Sequence, residues 1–186
     1  MPCILAKKLR RGAIMTVAAP HAQSKHVSAL LKLSIAFFWH TEATGNGSLE
    51  SQAALGWFHY LGRGRPHSDE NAIECWKGAA ERGSVHAMGS LTMLFYNRKL
   101  FNKATQLAQQ VTKMQDLEKI AEQTDCQLSL IRQGVARAAF IYARCLHLGL
   151  SIKQDIEVAK EYYSMAVWYS PKIAAQMQKQ VQQGLL

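Results

Sequence analysis

Residue types able to do chemistry are present, but their spacing builds no active site. His59 and His147 are candidate bases, yet neither has a nucleophile or an orienting acid at a recognisable distance along the chain. Asp69, Glu70 and Glu74 resemble a carboxylate cluster. Their spacing equally suits the solvated first turn of a helix, where negative charge meets the positive end of the helix dipole. Ser51 and Ser164 lack a histidine and an acid in any triad-like order. Gly62-x-Gly64 lacks the third glycine and the preceding strand of a dinucleotide fingerprint. The cysteines Cys3, Cys75, Cys126 and Cys145 contain no CxxC pair, and the seven histidines contain no HxxxH pair. Cys75 and Cys145 fall on apolar helix faces, as small buried hydrophobes would. The expectation is a non-enzymatic chain with no metal and no cofactor, kept in a reducing, cytoplasmic compartment.

The net charge of +9 first suggests a nucleic-acid partner. Six of the 22 basic residues (Lys7, Lys8, Arg10, Arg11, Lys25, Lys32) precede Glu42, the first acid, so the rest of the chain contributes only +3. That remainder is a mixed-charge surface with no basic run to follow phosphates, so no nucleic-acid partner is expected. The most apolar stretch, Ala29 to Trp39, is short and carries Lys32, well below the roughly 18 residues of a membrane span.

The elements that must hold these residues emerge from an internal repeat. Gly56, Gly62, Ala72, Trp76 and Ala79 recur in spacing as Ala143, Gly149, Ala159, Tyr163 and Ala166. A partial copy lies upstream at Ala36, Trp39, Ala43 and Gly47, with its aromatic displaced by one. A degraded copy follows Gly83 (Ala87, Leu91, Phe95, Ala104, Leu107), with Asn97-Arg98-Lys99 as a turn lacking glycine. Small residues on one helix face admit a neighbouring helix closely, large ones fill the remaining space, and glycine ends the first helix of each pair. The pattern predicts helices over roughly 28–44, 48–62, 69–82, 85–97, 100–112, 135–149 and 155–167. A terminal capping helix should run from about Pro171, and an insertion is expected at about 113–134. No stretch alternates with period two, so the fold class is all-α, an α-solenoid of helical hairpins. Residues 1–27 fit no repeat and read as unassigned or disordered, with a targeting segment or an incomplete start as alternatives.

The string Leu55-Gly56, Gly62-x-Gly64, Ala72, Trp76, Ala79-Ala80 and Gly83 resembles the Sel1-like repeat, a relative of the tetratricopeptide repeat. His59, Arg65, Cys75 and Gly78 depart from that pattern, and the paired cysteines of secreted members are absent. From about Ala36 to Ala166 the chain further resembles the C-terminal part of the megalin-binding adaptor family. The matching segments include Gly45-Asn46-Gly47, Thr124-Asp125-Cys126 and Ala143-Arg144-Cys145-Leu146. The resemblance implies a protein-binding adaptor that engages the cytoplasmic tail of a megalin-like endocytic receptor through a concave groove. The alternative is a scaffold subunit of a membrane-associated quality-control or signalling complex. By analogy with tetratricopeptide repeats, Leu55, Leu91 and Tyr142 are equivalent packing positions. Glu50, Trp57, Tyr60, His86, Met93, Tyr96, Asn97, Arg137, Arg144 and His147 then face the groove. Aromatics with arginine are the types enriched at binding hot spots. Arg137, Arg144 and His147 should form its positive end.

Overall fold

The computed structural model describes residues 21–186, with side chains from residue 29 onward. Its elements are α1 (His21–Gly45), α2 (Leu49–Leu61), α3 (Asp69–Glu81), α4 (Val85–Asn97), α5 (Phe101–Thr112), α6 (Leu117–Thr124), α7 (Leu128–Leu148), α8 (Ile156–Tyr169) and α9 (Pro171–Gln182). No strand occurs among the described residues. The architecture is an α-solenoid in which α2–α3, α4–α5 and α7–α8 are the hairpins. Most of the N-terminal segment 1–27 lies outside the described residues; its last seven, 21–27, belong to α1.

Local chemistry sets the helix ends. The side chains of Ser48, Ser68, Ser84, Asp155 and Ser170 each accept a hydrogen bond from the backbone N–H three residues on, satisfying a donor that the helix leaves free. Gly62 and Gly149 close α2 and α7 in the left-handed region, at φ 61° and 67°. In the turn without glycine, Lys99 takes the left-handed conformation instead, at φ 58°. Pro171 opens α9, where its missing N–H costs nothing.

Packing follows the repeat. The Trp76 side chain is wholly buried between α2 and α3, and its Nε1 donates to the Ala53 carbonyl at 2.9 Å. Gly56 makes room for it, because a Cβ there would fall inside the indole. At the equivalent positions the second copy has a larger small residue, Ala143, and a smaller aromatic, Tyr163. In α1 the displaced aromatic has a structural consequence. His40, not Trp39, takes the register of Trp76 and reaches Ser51 of α2 at 3.2 Å, while Trp39 is 64% exposed. One residue is about 100° around a helix, enough to turn the side chain from the seam to the outside.

Two further expectations change. The helix expected at 135–149 begins at Leu128, so the stretch taken as an insertion to residue 134 contributes its end to α7. Ile131 and Gly134 pack there against the preceding hairpin, which extends the helix by two turns. The C-terminal helix α9 does more than cover the last repeat. It packs on both α7 and α8, and its Ile173, Ala174 and Met177 join Met93, Tyr96, Ala136 and Phe140 in one core cluster. Among the described residues, no helix is long and apolar enough to cross a membrane.

Candidate functional site

Three first helices, α2, α4 and α7, line one cleft of about 370 Å³, and α9 forms its remaining wall. Its central side chain is Trp57 on α2. Trp57 sits on the outer side of buried Trp76, with ring centroids 5.1 Å apart, and packs edge-on against Tyr60 at 5.7 Å. The aromatic core of the first hairpin thus continues to the cleft surface.

From α4, His86 meets Trp57. The indole Nε1 donates to His86 Nε2 at 3.3 Å. An indole nitrogen can only donate, so Nε2 must carry the lone pair and the proton resides on Nδ1. Nδ1 is buried and has no hydrogen-bond partner among the described residues. Burial, followed by the charge of Arg137, pushes the His86 pKa down to about 3, so the ring is neutral across the physiological range. From α7, Arg137 lays its guanidinium over the Trp57 ring, 4.8 Å from the centroid. It is only 7% exposed, and its Nη1 is buried without a partner among the described residues. Burial lowers its pKa to about 10, which still leaves it charged at neutral pH. Among the described residues, no Asp or Glu lines this cleft.

The opposite wall was not foreseen from sequence. Ile173, Gln176, Met177 and Gln180 of α9 line the cleft, and Gln180 Oε1 is another buried atom without a partner among the described residues. The signal was the i, i+4 pair Ile173 and Met177 on an otherwise polar helix, the mark of a helix with one docked face. Arg63, just beyond the cap of α2, and Gln133 complete the rim. A second hollow of about 300 Å³ adjoins the first through the shared residues Trp57, Arg63 and His86.

Of the residues expected to face a groove, Trp57, Tyr60, His86, Met93 and Arg137 come together in the main cleft. Glu50 lines the adjoining hollow, where its carboxylate accepts the backbone N–H of Gln127 and ties α2 to the start of α7. Asn97 is exposed and donates to the Tyr60 hydroxyl at 3.0 Å. Tyr96 is buried below the surface, edge-on to Phe101, so it is core rather than rim. The positive end expected from Arg137, Arg144 and His147 does not form as a unit. Arg144 donates to the Leu186 oxygen at 3.2 Å, and His147 is exposed at the end of α7, beside Tyr163. Two helical turns separate Arg137 from Arg144, and the segment after α9 reaches only the latter. Tyr142 also departs from the buried Leu55 and Leu91, being half-buried against Tyr162.

The residues that first suggested catalysis have structural partners. His59 packs on Phe37, with burial and then Arg65 lowering its pKa. Asp69 and Glu70, at the start of α3, both pair with Arg98 at the end of α4. Ser164 donates to the Lys160 carbonyl of its own helix. Cys75 and Cys126 are half-buried free thiols and Cys145 is a buried one. Among the described residues, no three His, Cys, Asp or Glu side chains gather as a metal site would require.

Comparison with known proteins matches residues 49–84 and 136–167 to the Sel1 repeat model. These segments coincide with the hairpins α2–α3 and α7–α8. Among solved structures, a Sel1 repeat protein from Oxalobacter formigenes is similar, with 21% sequence identity and a TM-score of 0.32. The alignment covers 73% of this chain and 45% of that one, so this chain spans less than half the length of the solved protein.

Proposed function

We propose that the chain is a non-enzymatic adaptor of the Sel1 repeat kind, a reading supported by the match of two of its hairpins to the Sel1 repeat model. Its ligand is a peptide segment held in the cleft between α2, α4, α7 and α9. One observation carries this reading. Trp57 and Tyr60 present aromatic surface, over a floor that includes the buried Met93 and Met177, beside a guanidinium that no acid among the described lining residues neutralises. Large aromatics with an adjacent arginine supply most of the affinity at protein interfaces. The finer proposal is that the segment belongs to the cytoplasmic tail of a megalin-like endocytic receptor. It is supported by the resemblance at Thr124-Asp125-Cys126 and Ala143-Arg144-Cys145-Leu146, which lies partly outside the general repeat pattern.

The test is a titration of the 186-residue chain with the tail peptide of a megalin-like receptor, repeated for Trp57→Ala. A hot-spot aromatic costs about 2 kcal/mol or more when truncated, roughly thirtyfold in Kd. Saturable binding that Trp57→Ala leaves unchanged would remove this cleft as the binding surface. No binding by the wild-type chain would remove the receptor tail as its ligand.

A further inference from the structure

We propose that Arg137 is the recognition residue for one carboxylate of the bound segment, the side chain of a glutamate flanked by apolar residues. The proposal rests on the reading of this cleft as a peptide site and adds the chemistry that the site selects. A buried guanidinium without a counter-charge is costly to desolvate, and proteins almost always pair such a group. Arg137 forms no ion pair among the described residues, and its Nη1 has no acceptor there. One face of the guanidinium is already taken by the Trp57 ring, 4.8 Å from its centroid, so what is missing is a hydrogen-bond acceptor. His86 Nδ1–H is a second buried donor without an acceptor in the same cleft. Two donors, one of them charged, with no acid among the lining residues, match a planar monoanion that accepts from both.

The balance of charge chooses between anions. Arg137 is the buried cation of the site and His86 is neutral, so a carboxylate is fully neutralised. A phosphate dianion would bring a second charge beside Trp57, Met93, Ile173 and Met177 that only the exposed Arg63 of the rim could meet, where solvent weakens the pairing. Those apolar side chains also account for the flanking residues: they line the same cleft, and the partly exposed Trp57 is the surface that a leucine-sized neighbour on the ligand would cover.

The experiment uses the full chain and acetylated, amidated tripeptides, followed by the NMR shift of the Trp57 indole N–H, which reports on the His86 bond. The probes are leucine-glutamate-leucine, leucine-glutamine-leucine and leucine-phosphoserine-leucine, plus the glutamine peptide with a free C-terminal carboxylate. The glutamate peptide is expected to bind at least about tenfold more tightly than each of the others, as a charge-assisted hydrogen-bond pair implies. Arg137→Met should bring the glutamate and glutamine peptides within about twofold, while Arg137→Lys, which keeps the charge without the fork, should retain part of the preference. Equal binding of these two peptides to the wild-type chain overturns the site, as does absence of binding. Tighter binding of the phosphoserine peptide overturns the charge argument, and parity of the free-terminus peptide overturns the side-chain assignment. If Arg137→Met does not fold, the wild-type comparison and Arg137→Lys decide. A site confirmed here while the receptor-tail titration fails would sink that ligand and not this pocket; the reverse outcome would sink the pocket alone.

Discussion

Replacing Gly89 by alanine should destabilise the protein, although alanine is the better helix former. Gly89 lies in the interior of α4 and faces Gly134 in the interior of α7. In an unobstructed helix the change would stabilise by about 0.5–1 kcal/mol, because glycine loses more backbone freedom on folding. Here an added Cβ would fall on the carbonyl group and Cα of Gly134. The reciprocal Cβ on Gly134 would fall on the Val85 carbonyl and the His86 Cα. Backbone cannot rotate aside, so α4 and α7 must separate. Separation loosens Val85, Met88, Ile131, Val135 and Ala138, which pack along the same seam. Overpacking of this kind costs roughly 1–3 kcal/mol, and a backbone obstacle belongs at the upper end. Subtracting the propensity gain leaves a net loss of about 2 kcal/mol. Gly78→Ala is the matched comparison, because its Cβ meets only the end of the Gln52 side chain, at 2.6 Å. Gln52 can turn away at the expense of its exposed bond from Arg82, so a shift between zero and about 1 kcal/mol of added stability is expected there. Urea unfolding followed by circular dichroism should lower the midpoint for Gly89→Ala and not for Gly78→Ala, with the slope unchanged. His86 and Arg137 lie one turn from these two glycines, so Gly89→Ala should also weaken ligand binding at Trp57. A Gly89→Ala midpoint at or above the wild-type value would refute the close-approach argument.

Three other outcomes are expected. Since His86 is held neutral to about pH 3 in the fold, the unfolded chain gains a proton below its ordinary pKa of 6.5 that the folded chain refuses. Stability should therefore fall as pH drops from 6.5 towards 3; His86→Gln, which keeps an acceptor for Trp57, should flatten that fall, and equal pH profiles would contradict the assignment. Burial pushes the Cys145 thiol up to about 12 despite the opposing charge of Arg144, so iodoacetamide at pH 8 should spare Cys145 until urea is added; native-state labelling at the rate of a free thiol, read by mass spectrometry, would contradict its burial. Trp76→Ala should cost about 3–5 kcal/mol, the range for an emptied aromatic site, and a loss below about 1 kcal/mol in urea unfolding would show that the first hairpin does not depend on it.

The sequence alone determined the parts of this protein that depend on neighbours a few residues apart. The ends of the first helices were legible because Gly62 and Gly149 answer a local need for positive φ. The hairpin spacing was legible for the same reason: a period of 3.6 states which residues share a face. It does not state what that face meets. Trp39 shows the limit, since a shift of one position placed His40 in the seam and the indole outside. Five of the ten expected groove residues meet in one cleft, because a repeat carries equivalent faces to one side. The placement of α9 along that cleft, the closure at Gly89 and Gly134, and the isolation of Arg137 were decided only in three dimensions. Gly89 and Gly134 are 45 positions apart, and whether a guanidinium finds a carboxylate depends on how helices cross and rotate against each other. Those angles come from the fit of side chains on separate helices, and no single segment of the chain contains them.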